Sequence, residues 1–396
     1  DVYKRQPLAS PLIDHQRATL ALFASFSGTG GVERMLVNLI RGFVDLGHPV
    51  DLVLVRTQSP HLEGLPRAVN VVRQKTNHTV LAVFALARYL RRQRPTALLA
   101  AKDRAGRVAV LARWLAGVDT RILLRLGTHL STAMADRAAI NRWLRYWPMR
   151  WLYPQLDEIV AVSQGVADDV AAIARVERHR IRVIRNPVVT PELESLAGEP
   201  VAHPWLRPGG PPVILGAGRF TRQKDFPTLL RAFARLCRDT RCRLLILGDG
   251  GGRPRLEQLI RELGISASVD LPGFQTNPFP FMARASLFVL SSAWEGSPNV
   301  LTEAMALGTP VVSTDCPSGP RELLDQGRLG RLVPVGAVAE LAEAMRATLA
   351  DPLPAETLQQ AVAEYDQAYS AARYLEALGI ARGATPATQQ SVARYH

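Results

Sequence analysis

Short apolar runs rich in β-branched residues alternate with segments of helical periodicity along the chain, and they do so in two successive blocks. Strands joined through helices pair in parallel, because the crossover helix has to carry the chain back over one face of the sheet. The alternation therefore predicts two doubly wound, Rossmann-like α/β domains, each a parallel sheet with helices on both faces. In the first block the expected strands are Ala18–Phe26, Val50–Arg56, Ala97–Ala101, Arg121–Leu126 and Glu158–Ser163. In the second they are Val213–Gly218, Arg243–Asp249, Ser268–Phe274, Ala285–Ser292 and Pro310–Asp315. The stretch Asn186–Pro212 between them is dense in proline and glycine and reads as a linker. A length of 396 residues, too great for one ordinary core, agrees with two domains. The expected division is 1–190, a linker at 191–212, a second domain at 213–364, and a last helix with its tail at 365–396.

Two such domains leave a cleft between the carboxyl ends of their strands, where ligands of these sheets bind. Three glycine-rich turns point there: Ser27–Gly31, Gly216–Phe220 and Gly248–Gly252. In each, the third glycine of a dinucleotide fingerprint is replaced, by Glu33, Thr221 and Arg253 respectively, which disfavours a nicotinamide or flavin enzyme. In WEGSPNVLTEAMALGTP, Trp294–Pro310, Ser297 is a good N-cap and Pro298 suits the first helical position. The N–H groups near Asn299 and Val300 are then orphan donors that favour a phosphate. Glu303 lies about 7.5 Å further along the helix, and Glu295 stays in the loop. Carboxylates so placed suit hydroxyl groups flanking a phosphate better than the phosphate itself. Alone, each reads first as a solvated charge. Arg219 and Lys224, in the loop GRFTRQKD before a helix starting at Asp225–Pro227, add two cations facing the same cleft.

The net charge of +13 favours an anionic partner without choosing between nucleotide, nucleic acid and acidic membrane. No basic run, aromatic RNA-binding pattern or zinc spacing supports a nucleic-acid binder. Cys237, Cys242 and Cys316 lack metal-ligand spacing and suggest a reduced, cytoplasmic setting. No apolar run is long enough to span a membrane. The opening DVYKRQ shows no signal-peptide pattern, so this start is expected to be truncated or foreign to the natural protein.

From Val213 to Val335, and more loosely over most of the chain, the sequence resembles the GT-B glycosyltransferases, specifically glycosyltransferase family 4. The resemblance rests on GRFTRQKD, LLILGDGGGRPRLEQLIRELGI, VDLPGF and EGSPNVLTEA, with its two glutamates separated by seven residues, in that order. It implies a retaining transferase with the donor in the second domain and the acceptor against the first. By the same resemblance Glu303 binds ribose hydroxyls, while Glu295 and the backbone of Gly296, Ser297, Pro298, Asn299 and Val300 hold the transferred sugar. Arg219 and Lys224 grip the diphosphate, Gly30 and Gly31 let the first loop approach it, and the turn ending at Phe274 meets the base. His129, in RLGTHLSTAM, stands near the family's sugar-side histidine, or is a satisfied, partly buried one. The continuation Gly308–Leu323 resembles members that move hexoses or N-acetylhexosamines from UDP to growing surface glycans or lipid-linked acceptors. The last segment, Tyr365–Leu378, resembles the helix that crosses back to the first domain. A sugar-nucleotide epimerase or phosphorylase of the same architecture is the alternative. With no Asp-x-Asp pair present, no metal and no cofactor beyond the UDP-sugar co-substrate is expected.

Three tryptophans in WLRYWPMRWLYP, Trp143, Trp147 and Trp151, follow helical spacing and are expected to form a core-facing stripe. The alternative is a patch for peripheral contact with an anionic membrane at the inner face of the cytoplasmic membrane.

Overall fold

The computed structural model describes residues 20–26, 31–57, 62–74, 79–201 and 203–380. The first sheet contains β1 (Leu20–Phe26), β2 (Val50–Thr57), β3 (Val69–Arg73), β4 (Ala97–Ala101), β5 (Arg121–Leu126), β6 (Glu158–Ala161) and β7 (Ile181–Val183). The second contains β8 (Val213–Ala217), β9 (Arg243–Leu247), β10 (Val269–Gly273), β11 (Leu287–Leu290), β12 (Val311–Thr314) and β13 (Arg331–Val333). Their orders are β3-β2-β1-β4-β5-β6-β7 and β10-β9-β8-β11-β12-β13, and the pairings are parallel. Side chains alternate strictly between the two faces. Ala97, Leu99 and Ala101 of β4 pack with the helix Gly31–Asp45, while Leu98 and Ala100 pack with Thr79–Gln93 and Asp103–Ala116 on the other side. Both faces being covered, β4 is buried at every position, and its sequence is an unbroken apolar run.

The helix Gln367–Ala377 returns from the second block to the first and buries Ala371, Tyr374 and Leu375 in the core beneath Gly31–Asp45. Gly42 makes this approach possible, since a Cβ there would lie 2.7 Å from that of Ala371 and 3.2 Å from the Gln367 carbonyl oxygen. Gly42→Val is expected to overpack this seam and destabilise the protein by about 1–3 kcal/mol, read as a lowered denaturant midpoint with unchanged slope.

Two expectations are corrected. The helix after β11 spans Asn299–Ala306 with Pro298 at its N-cap, so Ser297 is not the cap and Pro298 is not the first helical residue. The start is displaced because Gly296 and Pro298 are drawn into close packing: a Cβ on Gly319 would lie 2.8 Å from Pro298 Cδ. The tryptophan stripe is also reversed. In the helix Ala139–Leu152 only Met149 is buried, and Trp143, Trp147 and Trp151 are 53%, 48% and 66% exposed.

Candidate functional site

Strand order changes direction between β1 and β4 in the first sheet and between β8 and β11 in the second. A crevice opens where neighbouring crossovers depart to opposite sides, so the loops leaving these four strands are the ones placed to hold a ligand. The loop after β1 holds Gly30, which lies outside the described residues. The loop after β8 carries Arg219 and Lys224, and the loop after β11 carries Glu295 to Pro298. The two sets meet closely: a Cβ on Gly296 would lie 2.2 Å from the Gly127 carbonyl oxygen, which follows β5. Only glycine permits that contact.

Two helix starts converge here. Gly31 opens the helix Gly31–Asp45, and its missing Cβ would sit 4.0 Å from Asn299 Nδ2 at the start of Asn299–Ala306. The second start has no side-chain cap. Each end carries a partial positive charge of about half an electron, so two ends side by side favour an anion between them. Asn299 is fixed by a relay across the domains. The fully buried Arg125 donates through NH2 to Asn186 Oδ1 at 2.7 Å, and Asn186 Nδ2 donates to Asn299 Oδ1 at 2.7 Å. Burial pushes the Arg125 guanidinium below its ordinary range.

The two glutamates are both buried, Glu295 at 6% and Glu303 at 3% exposure, which removes the solvated reading. Glu295 Oε1 accepts from Lys224 Nζ at 2.6 Å and from Ser292 Oγ at 2.7 Å. Lys224 and Glu295, read from sequence as serving different parts of a ligand, are thus one ion pair. Glu303 Oε1 pairs with Arg34, one turn into the opposing helix, and Arg34 in turn lies over the Phe279 ring. Glu303 Oε2 is buried without a hydrogen-bond partner among the described residues. A buried carboxylate oxygen left so costs about 1–3 kcal/mol or more, so a donor from a ligand would be bound there with gain.

Arg219 is exposed at the mouth, and Phe274, just after β10, is 50% exposed. His129 is half-buried at the start of Leu130–Ala133, with Nδ1 2.9 Å from Thr132 Oγ1, 3.3 Å from Ser131 Oγ and 3.7 Å from Asp169 Oδ1. All three contacts are to Nδ1, and the ring stands at the neck beside Gly127. The glycines of the second and third turns have a packing role: a Cβ on Gly248 would lie 2.0 Å from the Gly218 carbonyl oxygen.

Sequence reading missed Lys102, Arg34, Arg125, Asn186 and Glu322. Lys102 follows β4 with φ 76 and ψ 154, a conformation nearly restricted to glycine and a mark of a constrained site. Desolvation lowers its ammonium below the usual lysine range, Arg125 and Arg219 adding to this and Glu33 opposing it. A cation directly after a central strand was the available signal. Glu322 bridges the domains by accepting from the N–H groups of Gln164 and Gly165, both at 2.9 Å, and from Arg185 at 2.8 Å.

Residues 202–367 match the family model described as glycosyl transferases group 1, and residues 29–192 match that of glycosyltransferase family 4. The chain is 29% identical over 343 residues to an N-acetylgalactosamine-N,N'-diacetylbacillosaminyl-diphospho-undecaprenol 4-alpha-N-acetylgalactosaminyltransferase of Campylobacter jejuni, covering 84% of this chain and 90% of that one. It is also 29% identical to the lipopolysaccharide core biosynthesis glycosyltransferase LpsE of Rhizobium meliloti, covering 82% and 87%. A shorter match of 34% identity to an uncharacterized glycosyltransferase of Methanocaldococcus jannaschii spans 44% of either chain. The crystal structure of Anabaena Alr3699/HepE in complex with UDP shares the fold, with a TM-score of 0.71 at 21% identity over 91% of this chain and 99% of that one.

Proposed function

From the premise that the chain is a GT-B glycosyltransferase resembling family 4, we propose that it moves a hexose or N-acetylhexosamine from a UDP-sugar to a hydroxyl of a lipid-linked or surface glycan. The observation that carries the reading is the buried, unpartnered Glu303 Oε2 one turn inside an uncapped helix start, beside a second helix start. A ribose offers two hydroxyl donors and a diphosphate offers the anion. The relatives that act on diphospho-undecaprenol glycan and on lipopolysaccharide core support the acceptor class, and the UDP held by the fold relative supports the donor.

In this reading the helix starts, Arg219 and Lys224 stabilise charge that develops on the leaving diphosphate as the sugar C1–oxygen bond lengthens. The acceptor hydroxyl forms its bond to C1 from the same face, and its proton passes to the departing phosphate oxygen, so retention needs no strong protein base. Glu295, held by Lys224 and Ser292, faces the transferred sugar, and Phe274 the base. In this reading the cations take the charge-stabilising role that a metal would otherwise have, so chelator is expected to leave the initial rate unchanged. Activity abolished by chelator and restored by Mg²⁺ or Mn²⁺ would contradict this.

With a lipid-linked acceptor the reaction would take place at the cytoplasmic face of a membrane; among the described residues no helix is long and apolar enough to cross one. A thermal-shift screen of nucleotide sugars tests the donor class. UDP-sugars are expected to raise the melting temperature in proportion to the logarithm of concentration above Kd, and a rise with GDP- or ADP-sugars alone would sink the assignment. An epimerase or phosphorylase would consume the donor with no acceptor glycosylated.

A further inference from the structure

Of the large apolar side chains left exposed among the described residues, ten of fourteen lie on three helices of the first domain, Thr79–Gln93, Asp103–Ala116 and Ala139–Leu152. These helices cover one face of the first sheet, with their inner residues in a single core, so their outer sides form one surface. Ile140, Trp143, Leu144, Trp147 and Trp151 recur at helical spacing on the solvent side. Trp143 and Trp147 have ring centroids 6.2 Å apart, and Trp147 and Trp151 6.0 Å. A helix of a soluble domain turns such a stripe inward; this one turns it out. The three helices hold nine arginines and one acid, Asp103, which is buried against Arg107, Arg145 and Tyr153.

We propose that this face is the surface by which the protein lies on an anionic lipid bilayer, the tryptophans and aliphatic side chains entering the headgroup boundary and the arginines meeting lipid phosphate. Charge selects the occupant. Arg107 and Arg145 are already paired with Asp103, and Arg113 with Asp157; a second copy would set the other six arginines against six, with no exposed acid on these helices to receive them. Nucleic acid offers phosphate but no apolar medium for Ile140, Leu144, Leu111 and Leu115. An acidic bilayer satisfies both requirements, and interfacial helices carry this pairing of tryptophan and arginine. The chain runs from Gly127 at the cleft through the helix Leu130–Ala133 straight into Ala139–Leu152, so a bilayer seated on this face adjoins the acceptor side of the cleft. The purpose of the contact rests on the lipid-borne acceptor proposed above; the contact itself is measured without any transfer.

Sedimentation with phosphatidylethanolamine/phosphatidylglycerol vesicles tests it, using the full chain, the triple variant Trp143→Ser, Trp147→Ser, Trp151→Ser, and the triple variant Arg88→Glu, Arg92→Glu, Arg142→Glu. The full chain is expected to sediment, to do so less as salt rises, and to remain in the supernatant with phosphatidylcholine alone. Each triple variant is expected to lose roughly tenfold or more in partition, arginines near an acidic surface contributing about a fivefold each. Because the altered side chains are exposed, or in Arg142 half-buried on the outer surface, and none is in the candidate site, UDP binding by calorimetry should be unchanged in both. Failure of UDP binding in the full chain would overturn the proposed function and leave the membrane face standing. Equal sedimentation of all three proteins, no sedimentation at all, or a dimer by light scattering that the tryptophan variant converts to monomer would overturn the membrane face.

Discussion

Lys224→Ala is expected to lower kcat at saturating donor by roughly a hundredfold to a thousandfold, the range for removing one positioned donor from a developing oxyanion. Lys224 Nζ lies 2.6 Å from Glu295 Oε1 in a site where both side chains are largely enclosed, so its charge is weakly screened. On the proposed reading it is poised between a fixed carboxylate and the place where the diphosphate would gain charge. Its contact would then tighten as the bond to the sugar breaks, so the effect is expected on kcat beyond any change in KM. The variant also leaves the Glu295 carboxylate with Ser292 as its remaining hydrogen-bond partner among the described residues, so a melting curve is needed on the same preparation. Lys224→Arg keeps the charge and should recover part of the rate. Full kcat in the alanine variant would return Lys224 to a purely structural ion pair.

Glu303→Ala is expected to weaken UDP binding itself by about tenfold to a hundredfold, since a hydrogen bond to a charged group contributes about 1.5–3 kcal/mol. Calorimetric titration of UDP reads this without any acceptor. The side chain also pairs with Arg34, so loss of that pair needs separating from loss of the ribose acceptor. Arg34→Met removes the same ion pair while leaving the carboxylate, and should alter UDP affinity far less. If both variants weaken UDP equally, Glu303 serves the seam between domains rather than the nucleotide.

The interior strands were legible because burial on both faces fills them with apolar residues: β4 is an unbroken apolar run, β5 is one apart from Arg121 and Arg125, and both carry the bounds read from sequence. The strands that escaped notice, β3, β7 and β13, are all at sheet edges. An edge strand such as Arg331–Val333 is short and exposed on one side, so pairing with its neighbour rather than local pattern makes it a strand. The tryptophan stripe shows the complementary limit. Periodicity identifies a face of a helix but not which way it turns, and around Trp147 it turns outward. In the site, the loop residues Lys224 and Glu295 and the helix residue Glu303 stood out by spacing and residue type. Their partners did not: Arg34 is 269 residues from Glu303, and Asn186 is 113 from Asn299, and nothing local in either segment announces the pairing. Ser297 and Pro298 formed a sound local start signal that the approach of Gly296 to Gly127 overrides.

The most direct measurement of the central claim follows a labelled sugar from UDP-glucose, UDP-galactose and their N-acetylated counterparts into the lipid-extractable glycan of membranes from the cells that make the protein. Label is expected to enter that fraction from one of these donors, with one free UDP appearing for each sugar moved. Label entering only from GDP- or ADP-sugars, or UDP accumulating with no sugar transferred, would contradict it.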